Sequence, residues 1–356
     1  MSRPSPVVLA SGALLICLVG CSSSPSTAAP GAASAGSSGA SVAASPAASV
    51  GRAPSSPTPG STIAPVTAAL PAPVSLPSSG RILFTVERDG QATRIAYIDS
   101  AGIHLVPFGP DPTAGNAIWA PDNTIIFDSE RAGPRHIFRM GFDGGNVVQL
   151  TSGDTAQDSA AVSPDGRSMA YGDLSAAEGR DIGIHLANID GSKVRDLTPG
   201  AGKGVDGEDD AAFSPDGQWI AFERVVNPDA GQAALLMIHP DRSGLRRLTP
   251  DESGAGYARW SPDGKQVLFQ SALSALWIVD VASGATHQIS DPKDTGEFID
   301  ANWSPDGSHI VYRHFTPGSP ATIELHIANA DGSNATTLWV GPIGYGPNRP
   351  DWQAVP

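Results

Sequence analysis

The chain has 356 residues, including 40 glycines, 32 prolines and two cysteines, and its 36 acidic against 22 basic side chains give a formal charge of −14. A single-sign excess of that size argues against nucleic acid and anionic lipid as ligands of the surface, because their phosphates would be repelled. Two cysteines cannot build a disulfide framework or a four-thiolate zinc site, so those classes fall away as well.

Residues 1–20 carry Arg3 and then an apolar run from Val7 to Val19, too short for a mature membrane helix and suited to a secretory leader. Leu18-Val19-Gly20-Cys21 comes next and resembles the lipobox of bacterial lipoproteins. That resemblance implies cleavage before Cys21, acylation of its thiol and anchoring at the extracytoplasmic face of the cell membrane. Cys17, inside the apolar run with Ile16 before it, is the poorer candidate. With Cys17 removed and Cys21 lipidated, no thiol would remain for a metal site or a cysteine nucleophile. From Ser22 to about Gly80 the chain is mostly Ser, Ala, Pro, Gly and Thr, with Arg52 as its only charge. Such a stretch buries too little apolar area to offset the entropy of ordering. Residues 21–80 are therefore expected to form a lipidated, disordered tether, holding the folded region about 40 Å from the membrane on average.

Residues 81–356 hold all 36 acidic side chains and lack only Arg3 and Arg52 of the basic ones. They are organised by one phrase. Val162-Ser163-Pro164-Asp165-Gly166, Phe213-Ser214-Pro215-Asp216-Gly217, Trp260-Ser261-Pro262-Asp263-Gly264 and Trp303-Ser304-Pro305-Asp306-Gly307 repeat it outright. Trp119-Ala120-Pro121-Asp122-Asn123 is a worn copy, and Pro350-Asp351-Trp352-Gln353 a truncated one. The prolines stand 43, 51, 47, 43 and 45 residues apart, the period of a radial or stacked repeat. Pro presets φ for a tight turn, Asp bonds its own backbone, and Gly or Asn takes the left-handed position, so each copy joins two antiparallel strands.

In chain order, Arg81 to Glu87, Thr93 to Asp99 and Ile103 to Phe108 read as three strands, whose missing partner lies at the other end of the chain. Asn116 to Trp119, Thr124 to Ser129, His136 to Phe142 and Asn146 to Thr151 give four, and the plan recurs from Asp158 to Thr198, Asp209 to Thr249, Gly256 to Ser290 and Asp300 to Val340. Leu150-Thr151, Leu197-Thr198, Leu248-Thr249 and Ile289-Ser290 end the units at one phase. No amphipathic helix of useful length appears. Six antiparallel four-stranded sheets without long open edges describe an all-β, six-bladed β-propeller over 81–356. Asn348 to Gln353 should pair with Arg81 to Glu87 and close the ring.

The repeated aromatic-S-P-D-G phrase, the apolar strand after it, the Ile327-Ala328-Asn329-Ala330-Asp331-Gly332-Ser333 hairpin and the L-T endings together resemble the PD40, or WD40-like, repeat of TolB-type six-bladed propellers. The resemblance covers essentially all of 81–356. It implies that the strand before each S-P-D-G lies innermost, beside a central channel. Asn116, Ser159, Asp210, Tyr257, Asp300 and Arg349 stand four residues before the turn serine or its equivalent. Ile118, Ala161, Ala212, Arg259, Asn302 and Asp351 stand two before, and Asp158 and Asp209 extend the acidic set. The candidate ligand-binding residues at the channel mouth are thus Asn116, Asp158, Asp209, Asp210, Tyr257, Arg259, Asp300, Asn302 and Arg349. One reading is a mainly acidic funnel for a cationic peptide segment, an amine or a divalent ion; the other is that these carboxylates cap turns.

Asp206-Gly207-Glu208-Asp209-Asp210 is the densest acidic cluster and lacks the spacing of an EF-hand, so a solvated loop is expected there. His185 and His326 hold equivalent third-strand positions and read as packing, while His136, His239, His309 and His314 are scattered. Trp119, Trp260, Trp303 and Trp352 recur just before the turn, as interblade packing requires. Neither an HExxH helix nor a G-x-S-x-G elbow is present. No catalytic residue, metal ligand or cofactor is assigned. By resemblance, the expectation is a monomeric envelope scaffold that docks another envelope protein or a peptide and touches the membrane only through its lipid. The alternatives are a glycan lyase or hydrolase, or a small-ligand or metal sensor, using the channel.

Overall fold

The second strand of every repeat carries three consecutive apolar residues ending in an aromatic, from Ile82-Leu83-Phe84 to Ile310-Val311-Tyr312, which suits a stretch buried on both faces. In the computed structural model, Ile125–Ser129 is buried throughout. The structure describes residues 76, 80–88, 91–108, 111, 113–175, 180–198, 207–318, 322–341 and 345–354. The expected leader, Cys21 and the tether apart from Leu76 and Gly80 lie outside the described residues, as do Asp89, Gly90 and Asp206. No helix among the described residues is long and apolar enough to cross a membrane.

Six sheets of four antiparallel strands form the ring. Blade 1 contains β1 (Arg81–Arg88), β2 (Gln91–Asp99) and β3 (Gly102–Leu105). Blade 2 contains β4 (Gly115–Trp119), β5 (Ile125–Ser129), β6 (His136–Met140) and β7 (Val148–Gln149). Blade 3 contains β8 (Ala156–Val162), β9 (Ser168–Ser175), β10 (Arg180–Asn188) and β11 (Arg195–Asp196). Blade 4 contains β12 (Gly207–Phe213), β13 (Ile220–Asn227), β14 (Gln232–Ile238) and β15 (Arg246–Arg247). Blade 5 contains β16 (Gly256–Trp260), β17 (Gln266–Gln270), β18 (Leu276–Asp280) and β19 (Thr286–Gln288). Blade 6 contains β20 (Glu297–Trp303), β21 (His309–Thr316), β22 (Thr322–Asn329) and β23 (Thr336–Val340). The last strand, β24 (Tyr345–Gln353), is the inner strand of blade 1. It pairs with β1 from Arg81 opposite Gln353 to Arg88 opposite Tyr345, so the two termini of the repeat region complete one sheet.

Alternating side chains of each blade pack into the two neighbouring blades, so the core lies between blades. Leu83 and Ile95 of blade 1 meet Trp119, Phe127 and Phe138 of blade 2. Leu268 and Ile278 of blade 5 meet Trp303 and Tyr312 of blade 6, and Val311 and Leu325 of blade 6 meet Phe84 and Trp352 of blade 1. The four pre-turn tryptophans are only 4–8% exposed, as expected for packing positions. Trp260 Nε1 donates to Ala212 O and Trp303 Nε1 to Arg259 O, each at 3.1 Å and each across to the preceding blade.

Turn chemistry repeats with the sequence. In the four full S-P-D-G copies the serine Oγ donates to the aspartate Oδ1 at 2.6–2.7 Å. The same Oγ accepts the backbone N–H five residues on, at 2.9–3.0 Å. In the worn copy Ala120 cannot do this, and Thr124 Oγ1 bonds Asp122 instead at 2.6 Å. The L-T endings have an equally local purpose: the hydroxyls of Thr151, Thr198, Thr249 and Ser290 accept a backbone N–H of the third strand, from Ile137, Ile184, Leu235 and Leu276, at 2.9–3.1 Å. Their own fourth strands are short, two residues in β7, β11 and β15, and so leave little open edge.

The acidic run at 206–210 differs from the expected solvated loop. From Gly207 onward it is the inner strand β12, with Glu208 fully buried and ion-paired to Arg224. A buried guanidinium replaces the solvent that a run of carboxylates ordinarily requires.

Candidate functional site

All six inner strands carry a bulge at the same place. Their pairing with the second strand slips beside Asn116, Ser159, Asp210, Tyr257, Asp300 and Arg349. These six residues have φ of 47°, 53°, 53°, 58°, 54° and 46°. Left-handed backbone costs a side-chain-bearing residue about 1 kcal/mol or more, least for Asn and Asp. A bulge also re-aims the side chain it carries. The ring read from the sequence by counting back from each turn serine is therefore a ring of strained residues facing the channel.

Arg349 fills that ring. Its Nη1 donates to Ser159 Oγ of blade 3 at 3.1 Å, and its Nη2 bonds Asp210 Oδ1 of blade 4, the blade opposite its own. Its backbone N–H points at Asp300 Oδ2 at 3.4 Å, and its guanidinium carbon lies 5.3 Å from the Tyr257 ring centre, a cation–π distance. The Arg349 and Asp210 side chains are 12% and 5% exposed. Burial works against the Arg349 charge, but Asp210, Tyr257, Asp300 and Asp209 outweigh it and hold the guanidinium well above its ordinary range. Asp210, then burial, pushes the Tyr257 phenol up. Arg349 thus crosses the channel at this level and divides its lining into two sides.

On the side away from the S-P-D-G turns the chamber is acidic. Asp158 and Asp209 lie one residue before the ring, joined by Asp128 of β5 and Glu223 of β13, which pair with Gly115 and Asp209 respectively. Arg135 Nη1 stands 3.9 Å from both Asp128 and Asp158. Burial pushes the Asp128 carboxyl up to about 6, Asp158 adding to the effect while Arg135 and the Asn116 amide oppose it. Burial likewise raises Asp158, against Arg349 and Arg135. Two glycines make room for these acids: a Cβ on Gly172 would lie 2.8 Å from Asp209 Oδ1, and one on Gly256 would collide with Glu223. Arg313 of β21 turns the blade 6 side basic, 3.9 Å from Asp300.

On the turn side lies a cavity of about 220 Å³, floored by Ser159, Asp210 and Arg349. Arg259, Asn302 and Asp351 line it together with Ile118, Ala161 and Ala212. The nine candidate residues are therefore divided: Asn116, Asp210, Tyr257, Asp300 and Arg349 form the ring, Asp158 and Asp209 the acidic chamber, and Arg259 and Asn302 the turn-side cavity. Asp128, Glu223 and Arg135 were missed. A signal for the first two existed, because the residue after the second-strand aromatic varies in phase: Thr85, Asp128, Gly172, Glu223, Gln270 and Arg313.

His185 stacks on Tyr171 and His326 packs against Tyr312, each pair with ring centres 5.6 Å apart, as their positions suggested. His314 is less isolated than the sequence implied: its ring is 4.9 Å from that of His326, and its Nε2 is 3.2 Å from Asp294. Adjacent strands of one blade bring them together. Among the described residues, no group of three or more His, Cys, Asp or Glu side chains is placed to hold a metal ion.

The fold and site define a closed six-bladed β-propeller with a bulged, plugged channel. No protein-family model matches the chain. An uncharacterized protein of Agrobacterium fabrum is 30% identical over 169 residues, 44% of this chain and 54% of that protein. A TolB homolog of Chlorobium luteolum is 27% identical over 169 residues, 46% of this chain and 36% of that protein. The chain thus spans about half or less of the length of these curated relatives. The crystal structure of TolB from Acinetobacter baumannii superposes with a TM-score of 0.61 at 20% identity, covering 78% of this chain and 67% of that one. The described region is a TolB-like six-bladed β-propeller.

Proposed function

We propose that this propeller is a protein- or peptide-binding scaffold of the bacterial cell envelope, held at the extracytoplasmic face of the membrane by a lipid on Cys21. The observation that carries the reading is the acidic chamber, where Asp128, Asp158, Asp209 and Glu223 from three consecutive blades converge behind the Arg349 plug. A blind, negatively charged vestibule suits a lysine- or arginine-bearing segment that docks from one side without threading through. The likeness to TolB proteins supports a binding role in the envelope. The carboxylates Asp210 and Asp300 act here as structure, each holding Arg349, while Asp158, Asp209 and Glu223 face the ligand.

The test is crosslinking and recovery from the native envelope, comparing the unmodified chain with Asp158→Asn/Glu223→Gln, which spares the ring. Loss of a specific partner in the variant, at unchanged folding, supports the reading; equal recovery by both sinks it. Separately, Cys21→Ser should release the protein from membranes, and a variant that stays in the membrane fraction would overturn the anchor.

A further inference from the structure

The turn-side cavity is chemically divided. At the position two residues before the turn serine, three consecutive blades carry Ile118, Ala161 and Ala212, and the other three carry Arg259, Asn302 and Asp351. One half of the wall is apolar and the facing half is polar. Most of the polar half is already satisfied. Asp351 accepts the Trp119 N–H at 2.7 Å through Oδ2 and the Asn302 amide at 2.8 Å through Oδ1. The Asn302 carbonyl in turn accepts the Trp303 N–H at 2.8 Å. Arg349, at the floor, is committed to Asp210 and Ser159.

Arg259 is the exception. Among the described residues its one side-chain hydrogen bond runs from Nη1 to the carbonyl of its own neighbour Ala258 at 2.7 Å. No carboxylate among the described residues stands within ion-pair distance of it, whereas Arg135, Arg313 and Arg349 in the same channel each have at least one close carboxylate. The Asp351 carboxylate in the same wall feels its charge but is already bonded to Trp119 and Asn302. A guanidinium presents five N–H donors in a fixed fork that matches a carboxylate edge. What the cavity lacks is thus an acceptor on the Arg259 side and an apolar group on the Ala161–Ala212 side. Its volume, about 220 Å³, lies below the roughly 300–1,000 Å³ of a site for a drug-sized ligand.

We infer that this cavity is a second binding site, for a small monocarboxylic acid whose carboxylate lies on Arg259 and whose branched apolar body lies against Ala161, Ala212 and Ile118. The site is separate from the acidic chamber and does not depend on the scaffold reading, because the Arg349 plug stands between the two. The same chemistry could come from a free acid or from the C-terminal carboxylate of a chain ending in leucine.

Calorimetric titration of the full chain, with the fluorescence of Trp119 and Trp260 in the cavity wall as a second readout, compares 4-methylpentanoate with 4-methylpentanamide and with acetate. The amide removes a charge-assisted pair, so it should bind about ten- to a hundredfold more weakly than the acid. Acetate should be weaker too, lacking the apolar body. Arg259→Gln should lose the preference for acid over amide, and Arg259→Lys should keep part of it. A leucine-terminated pentapeptide with a free or amidated C-terminus separates the sources: tighter binding of the free-ended peptide than of the acid assigns the site to a chain end, and the reverse to a free acid. Acid and amide binding equally, acetate matching the larger acid, absence of binding by any carboxylate, or an unchanged preference in Arg259→Gln would overturn the proposal. The acid–amide comparison uses the unmodified protein and so stands even if a variant misfolds.

Discussion

Replacing Arg349 by methionine tests the plug directly. Methionine keeps the length and much of the packing of the side chain, and it sits no more easily than arginine in the left-handed backbone at φ 46°, so strain cancels in the comparison. What changes is charge. Asp210, 5% exposed, would be left buried without its counter-ion. Breaking a buried pair on one side costs about 3–5 kcal/mol, and loss of the Tyr257 cation–π contact adds about 0.5–1 kcal/mol. Against a domain stability of about 5–15 kcal/mol, that is a large shift of the unfolding midpoint. Urea is the denaturant to use, since guanidinium ion could refill the vacated site. The double variant Asp210→Asn/Arg349→Met removes both charges and should recover most of the loss, because an uncharged, packed replacement of a buried pair is near neutral. A cost below about 1 kcal/mol for Arg349→Met, or a double variant no more stable than the single one, would refute the account of Arg349 as the cross-channel tie.

Three further outcomes come from the geometry. Asp128 is 1% exposed and its carboxyl is raised from 3.8 to about 6, so between those values the native state holds a proton that the unfolded state has released. Stability from this group therefore falls as pH rises from about 4 to 6, by about 3 kcal/mol in all, and Asp128→Asn should recover up to that amount at neutral pH and flatten the slope in that window; an unchanged slope in the variant denies the buried charge. Thr249→Val leaves the buried Leu235 N–H without its acceptor at 2.9 Å and should cost about 1–3 kcal/mol in urea unfolding, far more than the same change at an exposed threonine. Gly191 has φ 80°, and a Cβ there would collide with the Leu150 carbonyl of the preceding blade, so Gly191→Ala should destabilise by more than the about 1 kcal/mol of left-handed strain alone; a neutral result would mean that the blades can separate there at no cost.

The fold was legible because each repeat carries its own turn chemistry. Ser, Pro, Asp and Gly recur where a hairpin needs them, and the pairing of β24 with β1 results from two partial repeats completing one another. The ring was also legible, as a position counted back from each turn serine. Its closure was not. Arg349 is 190 residues from Ser159 and 139 from Asp210 in the chain, and it belongs to the copy that has lost its turn, so no local pattern announces its partners. The expected loop at 206–210 failed for a related reason. A run of acids reads as solvent-facing until Arg224 on the paired strand and Thr198 and Gly183 of blade 3 are placed around Glu208.

Comparison among the repeats of this one chain separates architecture from chemistry. Positions that hold blades together barely change: the turn serine and aspartate, the closing hydroxyl of the L-T tag, the aromatic of the second strand. The bulged position changes at every blade except for its two aspartates, yet its backbone conformation is the same six times within about 12°. Conformation there is imposed by the register of the blade rather than chosen by the residue. Asn and Asp suit left-handed backbone; Tyr257 and Arg349 do not, and they occupy it at a cost. A backbone preference cannot account for them, so their side chains must. Tyrosine and arginine at these two positions, in cation–π contact with one another and with the arginine bonded to Asp210, are what turns an open ring into a partition. The partition is what lets one channel present an acidic chamber at one end and a divided, half-apolar cavity at the other.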